Sequence, residues 1–140
     1  MQITRQADYA VRAVLYLAQC GPGARVATAE VAREQHIPPT FLAKIVSQLS
    51  AAGILRTTRG ARGGIALARP PEEISLLEIV EAIDGPLTIN ECTTDPSLCP
   101  LGADCAVREV WCNVRADLTK RLGETRFGDL VKAPLEKVPA

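Results

Sequence analysis

The sequence shows neither the long apolar run of a membrane span nor the residue pattern of a signal peptide. None of its apolar stretches approaches the length of a transmembrane helix. The amino terminus, Met1 to Asp8, does not show the charged and then apolar pattern of a signal peptide. With 140 residues, of which 47% are hydrophobic and 23% charged, the chain is typical of one folded domain. We therefore expect a single cytoplasmic domain.

Catalytic motifs are missing as well. The sequence contains no nucleophile elbow, no paired histidine and carboxylate constellation and no phosphate-binding loop. The single histidine, His36, falls in a turn between two predicted helices, where a structural role is favoured over a ligand role. These absences predict that the protein is not an enzyme.

The chain has no net charge, yet its charges are unevenly distributed. Sixteen basic and 16 acidic residues cancel. Residues 1–70 contain nine basic and three acidic residues and carry +6, so residues 71–140 carry −6. A basic half suits phosphates and an acidic half is repelled by them, which predicts two roles within one domain. Ordinary solvated surface charge is the alternative.

Hydrophobic periodicity predicts three helices and then a hairpin in the basic half. The expected helices cover residues 3–20, 28–35 and 39–53, and the expected strands cover 54–59 and 65–68. In this pattern the Thr28 hydroxyl caps the second helix, and Cys20 is buried at the end of the first apolar stripe. The order of elements is typical of a winged helix-turn-helix.

The acidic half is predicted to be helical around an irregular loop. Ser75 and Glu78 form a capping box that opens a helix to about Ile83. Residues 87–103 are rich in proline and predict a loop. A long helix follows at about 103–122, and its apolar stripe suits a partner helix as well as a core. The predicted fold class is mainly α with a small β-hairpin.

Candidate DNA-binding residues lie on the second helix of the helix-turn-helix and at the hairpin tip. The amino-terminal part of such a helix reaches base edges in the major groove. Arginines at a glycine-rich tip suit a narrow minor groove. A phosphate ligand is the alternative for the tip, although no Gly-Lys-Ser/Thr run accompanies it. The candidates are Thr40, Phe41, Lys44, Gln48, Arg59 and Arg62, with a core position left open for Phe41.

Four of the five cysteines fall within 21 residues of the acidic half: Cys92, Cys99, Cys105 and Cys112. In a cytosolic chain such clustering favours metal or redox chemistry over disulfides. Gaps of six and then five residues separate the first three, longer than the two-residue gaps of ferredoxin or zinc-ribbon motifs. The spacing therefore leaves two kinds of site open, an iron–sulfur cluster and a structural zinc site. A ferredoxin-type electron carrier is a further alternative for the function, but the basic helix-turn-helix disfavours it.

Residues 3–13, 37–49, 59–67 and 74–85, together with the three-cysteine loop, resemble the Rrf2 family of bacterial transcription regulators. The resemblance extends from residue 1 to about 132. The family includes IscR-like iron–sulfur regulators and NsrR-like nitric-oxide sensors. It implies a homodimeric winged-helix protein whose long carboxy-terminal helices pair across a twofold axis. It also implies an iron–sulfur cluster, of the 2Fe-2S or 4Fe-4S kind, between that helix and the DNA-binding part.

The family's functional residues are carried over by position. Its three ligand cysteines match Cys92, Cys99 and Cys105, and the arginine that enters the minor groove matches Arg59. Asp8 matches the aspartate that NsrR-like members use as a ligand from the other subunit, and Cys112 is the alternative fourth ligand.

Two positions depart from the IscR-like pattern. Arg108 replaces a histidine ligand, and Ala43 replaces a discriminating glutamate on the recognition helix.

The resulting expectation is a DNA-binding transcription regulator, a repressor, that senses iron–sulfur status, nitric oxide or redox state. A thiol- or zinc-based regulator is the alternative. We expect residues 1–70 to form the DNA-binding part, 71–132 the cluster loop and dimerisation helix, and 133–140 a tail.

Overall fold

The computed structural model describes residues 2–90, 93, 95, 97, 100–101 and 104–132. Six helices and one hairpin make up this part of the chain. They are α1 (Arg5–Gln19), α2 (Thr28–Glu34), α3 (Pro39–Ala51), β1 (Leu55–Thr58), β2 (Gly64–Leu67), α4 (Leu76–Asp84), α5 (Ala106–Glu124) and α6 (Phe127–Lys132), with a short 3₁₀ turn at Pro71–Glu73 before α4. This order confirms the predicted fold class.

Within the described residues, one hydrophobic core joins α1, α3, α4 and the hairpin. Its fully buried side chains include Val14 and Leu17 of α1, Leu49 of α3 and Ile65 of β2. β1 and β2 pair antiparallel, with Leu55 opposite Leu67. Among the described helices, none is long and apolar enough to cross a membrane.

The ends of the helices follow local signals. Thr4 caps α1, because its Oγ1 accepts the amide hydrogen of Ala7 at 3.1 Å. The predicted capping box of α4 is confirmed: Ser75 Oγ accepts from the Glu78 amide at 3.2 Å, and the Glu78 carboxylate accepts from the Ser75 amide at 2.9 Å. Pro39 opens α3 as expected, and Gly53 follows it with φ of 76°.

Two expectations in the basic half were wrong. Thr28 is the first residue of α2 rather than its cap; Ala27 occupies the N-cap position and supplies no side-chain hydrogen bond. Cys20 is exposed, not buried. It follows the last turn of α1, whose buried stripe ends at Ala18, and the chain turns away at Gly21 with φ of 103°.

Helix α6 does not follow from the sequence pattern. Its six residues are too few to show a helical period, yet Phe127 is completely buried and belongs to the main core. The chain returns from α5 along the start of α4, where the Phe127 amide donates to the Ile74 carbonyl at 3.0 Å and the Leu76 amide to the Thr125 carbonyl at 2.9 Å. The carboxyl end of the long helix is thereby attached to the core.

Candidate nucleic-acid interface and cysteine segment

Helix α3 is anchored by one face and exposed on the other. Its inner face buries Leu42, Ile45, Val46 and Leu49. Thr40, Phe41 and Lys44 are exposed on the outer face. The apolar period of α3 therefore presents three of the predicted DNA-binding side chains together.

Phe41, for which the sequence leaves a core position open, is 47% exposed. Its ring lies 6.2 Å from the ring of Tyr9 on α1, at 58° between the planes. Tilted aromatic pairs at this spacing attract each other through their quadrupoles. Phe41 is thus held at the surface by an aromatic neighbour rather than by burial.

Gln48 lies one turn further along α3 and is half-buried. Its Oε1 is shielded from solvent and has no hydrogen-bond partner within the described part of the chain.

The hairpin tip presents two cations. Arg59 and Arg62 are exposed, and neither takes part in an ion pair among the described residues. The turn between them closes through the Gly63 amide, which donates to the Gly60 carbonyl at 2.9 Å, and Gly60 has φ of 107°. Glycine is favoured at such a left-handed position because it carries no Cβ.

Asp8 lies on the exposed side of α1. Its Oδ2 is 3.3 Å from Arg12 Nε, and its side chain is 61% exposed. The Arg12 guanidinium also lies 4.8 Å from the Tyr9 ring centroid and donates to the Gln35 carbonyl at 3.0 Å. Arg12 therefore contacts three groups: the Asp8 carboxylate, the Tyr9 ring and the Gln35 carbonyl at the end of α2.

His36 occupies the turn between α2 and α3 with φ of 53°. It is exposed, and its amide donates to the Arg33 carbonyl at 3.4 Å.

Of the predicted metal ligands, Cys92 and Cys99 lie outside the described residues. Cys105 is half-buried at the N-cap position of α5, and Cys112 is half-buried within α5. Both are free thiols. The described part of the chain contains no group of three or more His, Cys, Asp or Glu side chains that could hold a metal.

Helix α5 carries an apolar stripe that is exposed in the described part of the chain. Val107, Val110, Trp111 and Val114 recur at helical spacing and are 37% to 55% exposed. None of the side chains that the structure describes on α5 is buried.

Comparison with known proteins identifies the family. The family model described as "Rrf2: Iron-dependent Transcriptional regulator" matches residues 3–133. The chain belongs to the Rrf2 family. As an Rrf2 protein, it is a DNA-binding transcription regulator and not an enzyme.

One relative and two solved structures illustrate the similarity of this Rrf2 chain to known proteins. A candidate HTH-type transcriptional regulator of Mycobacterium tuberculosis (strain H37Rv) is 37% identical over 135 residues, covering 96% of this chain and 84% of the relative. CymR, the global cysteine regulator of B. subtilis, has a TM-score of 0.81 at 24% identity, with 94% and 96% of the two chains covered. T. potens IscR has a TM-score of 0.77 at 24% identity, with 100% and 93% covered. At this identity the two structures establish a shared fold.

Proposed function

We propose that this Rrf2 regulator binds a palindromic operator as a homodimer and acts as a repressor. Residues 1–70 form its DNA-binding part, residues 71–132 its dimerisation and sensing part, and residues 133–140 a tail. The observation that carries the proposal is the joint exposure of the outer face of α3 and the arginines of the hairpin tip. The outer face of α3 suits the major groove of DNA, and the arginines of the hairpin tip suit the minor groove.

Charge supports the same surface. Lys44, Arg59 and Arg62 have no acidic partner among the described residues, so each is available to a phosphate or a base edge. In this assignment Thr40 supplies a hydrogen bond to a base edge, and Gln48 supplies one through its amide nitrogen, since its Oε1 is shielded. The exposed Phe41 ring contacts a thymine methyl group or a sugar.

The dimer is proposed to form through α5. An exposed stripe of Val107, Val110, Trp111 and Val114 fits a second copy of the same helix, because two such stripes remove each other from water. If the two copies of α5 pair across a twofold axis, the two DNA-binding parts of the dimer face half-sites whose centres are about 10 bp apart, or a multiple of that spacing.

For sensing, we infer an iron–sulfur cluster held by Cys92, Cys99 and Cys105, with Asp8 of the partner subunit as fourth ligand. Cys105 fits this role because its thiol is half-buried at the N-cap position of α5, directly after the cysteine-containing loop in sequence. The exposed Asp8 carboxylate is accessible to a second chain. When bound, the cluster supplies a group that responds to nitric oxide or oxidants.

Contacts within the chain connect Asp8 to α3, the proposed recognition helix. Arg12 pairs with Asp8 and lies over Tyr9, and Tyr9 packs against Phe41 of α3. A change in the partner of the Asp8 carboxylate alters the position of Arg12 and, through the two aromatic rings, the orientation of α3. Coupling of this kind between two sites changes operator affinity.

A thiol-based regulator without a cluster is the second candidate. Cys105 and Cys112 are both free and half-buried in the same helical segment, which allows an oxidation response that involves no metal.

Anaerobic purification of four single cysteine-to-serine variants separates the two candidates. The cluster proposal expects Cys92→Ser, Cys99→Ser and Cys105→Ser each to lose iron and sulfide and the visible absorption, while the dimer remains intact. Cys20→Ser, a change at an exposed cysteine outside the acidic half, is the matched control and keeps the cluster. Full iron loading in any of the first three variants, or stoichiometric zinc in the native protein, contradicts the cluster.

The fourth ligand requires its own comparison. Asp8→Ala is expected to change the cluster spectrum and the response of operator binding to nitric oxide, whereas Cys112→Ser leaves both unchanged. If Cys112→Ser loses the cluster and Asp8→Ala behaves as the native protein does, Cys112 is the ligand.

A further inference from the structure

A cavity of about 500 Å³ lies where the carboxyl end of α1, the hairpin and α6 meet. This volume is within the range of about 300–1,000 Å³ that is common for small-molecule sites. Its walls include Leu17, Ala18, Leu67, Pro70 and Val131. None of the proposed DNA-binding or cluster residues lines it, so it is distinct from both of those sites.

Two opposite charges border this apolar cavity. Arg56 of β1 and Glu72 of the 3₁₀ turn both line it, and each is exposed. Within the described residues neither side chain makes an ion pair or a hydrogen bond. Arg69, the other charged residue of the lining, is already committed to Glu78, with 2.7 Å between Nη2 and Oε1. The cavity therefore offers one unpaired cation and one unpaired anion beside apolar walls.

We propose that this cavity binds a free α-amino acid with an apolar side chain. The ligand carboxylate pairs with Arg56, whose guanidinium can engage it through two hydrogen bonds. The ligand ammonium pairs with Glu72, and the apolar side chain fills the space beside Leu17 and Leu67. A simple fatty acid would leave Glu72 without a partner, and a nucleotide would bring phosphate charge against it.

The cavity is placed to influence DNA binding. Arg56 precedes the tip arginine Arg59 by three residues on the same arm of the hairpin, and Leu67 pairs with Leu55 at the base of that hairpin. Gly128 and Val131 belong to α6, which directly follows the proposed dimerisation helix. An occupant therefore contacts both the hairpin and the segment that returns from α5. This consequence for operator affinity rests on the proposed function, whereas binding itself does not.

Titration calorimetry on the full-length protein without DNA tests the site. L-Leucine and L-phenylalanine are expected to bind saturably, with one molecule per protomer. 4-Methylpentanoate, which lacks the ammonium of leucine, and 3-methylbutylamine, which lacks its carboxylate, are each expected to bind about tenfold more weakly or worse. Absence of heat with both amino acids up to about 10 mM overturns the proposal. Equal binding of either leucine analogue overturns it too.

Variants locate the binding. Arg56→Gln and Glu72→Gln are each expected to weaken leucine binding about tenfold, whereas Arg25→Gln, also an exposed arginine without a described partner but outside the cavity, has no effect. Circular dichroism confirms that each variant is folded. If neither of the first two variants changes the affinity, the amino acid binds elsewhere and the assignment is wrong.

Operator titration in the presence of saturating leucine is a separate measurement. A shift in operator affinity that Arg56→Gln abolishes supports the coupling to DNA. Leucine binding without such a shift refutes the coupling alone. Absence of operator binding in the native protein refutes the proposed function and leaves the calorimetric result standing.

Discussion

Replacement of Arg59 by alanine tests the proposed DNA interface most directly. Arg59 is exposed at the hairpin tip and has no ion-pair partner among the described residues, so its removal disturbs no interaction that holds the fold. We expect the free energy of unfolding to change by no more than about 0.5 kcal/mol. Any loss of DNA binding then reports on the interface rather than on stability.

The loss expected at the operator is large by comparison. An arginine that contacts the groove contributes about 1–3 kcal/mol, which corresponds to about 5- to 160-fold in affinity. Replacement of a residue that contacts only phosphate has a different signature. A plot of log affinity against log salt concentration has a negative slope. For Lys44→Ala, the magnitude of this slope should decrease by about 0.9 for each phosphate that the lysine no longer neutralises. In a dimer with two equivalent lysines, the magnitude of the slope would decrease by about 1.8.

Fluorescence anisotropy with labelled operator DNA, repeated at several salt concentrations, measures both quantities. Arg121→Ala is the matched control, because it removes the same charge from an exposed position on α5, in the acidic half of the chain. Unchanged operator affinity in Arg59→Ala refutes the hairpin assignment. An equal loss in Arg121→Ala means that only net charge matters, and it refutes the assignment as well.

Three further predictions concern the scaffold that positions these residues. Phe127→Ala should lower the free energy of unfolding by about 3–5 kcal/mol, seen in urea denaturation, because it empties a completely buried site. Gly64→Ala should cost about 1–3 kcal/mol in the same assay, because the new methyl group would lie only 2.7 Å from the carbonyl carbon of Val26; an unchanged midpoint would contradict this packing. Burial alone would raise the pKa of Glu78, but hydrogen bonds from the Ser75 amide and from Arg69 outweigh it, so its pKa lies below the ordinary 4.5. The stabilisation is therefore present above pH 4.5 and is lost as the pH falls through the lowered pKa, so the melting temperatures of native protein and Glu78→Gln should converge in acid; a constant difference would contradict the assignment.

Much of the fold was predictable because its signals are local. The apolar period of α3, the Ser75 and Glu78 pair, and the glycine-rich turn each act within a few residues of chain. The exposure of Lys44, Arg59 and Arg62 follows from the same patterns, since residues opposite an apolar stripe or at a hairpin tip face solvent. The exposure of the proposed DNA-binding side chains was for this reason foreseeable in outline.

Other features were not predictable because they depend on how distant segments pack. Cys20 continues an apolar stripe in sequence, yet the chain turns away before anything covers it. Phe127 belongs to a helix too short to show a period, and only its packing against the start of α4 buries it.

By itself the sequence determined the winged helix-turn-helix, the basic half and the cysteine spacing, because periodicity, capping and charge are properties of neighbouring residues. Only the tertiary structure decided that Tyr9 packs against Phe41 and that Arg12 donates to the Gln35 carbonyl. It alone decided that Arg56 and Glu72 border one cavity. Tyr9 and Phe41 are 32 positions apart in the chain, and Arg56 and Glu72 are 16 apart. Packing of the helices and the hairpin around a common core places the first two rings side by side and the second two residues at one cavity.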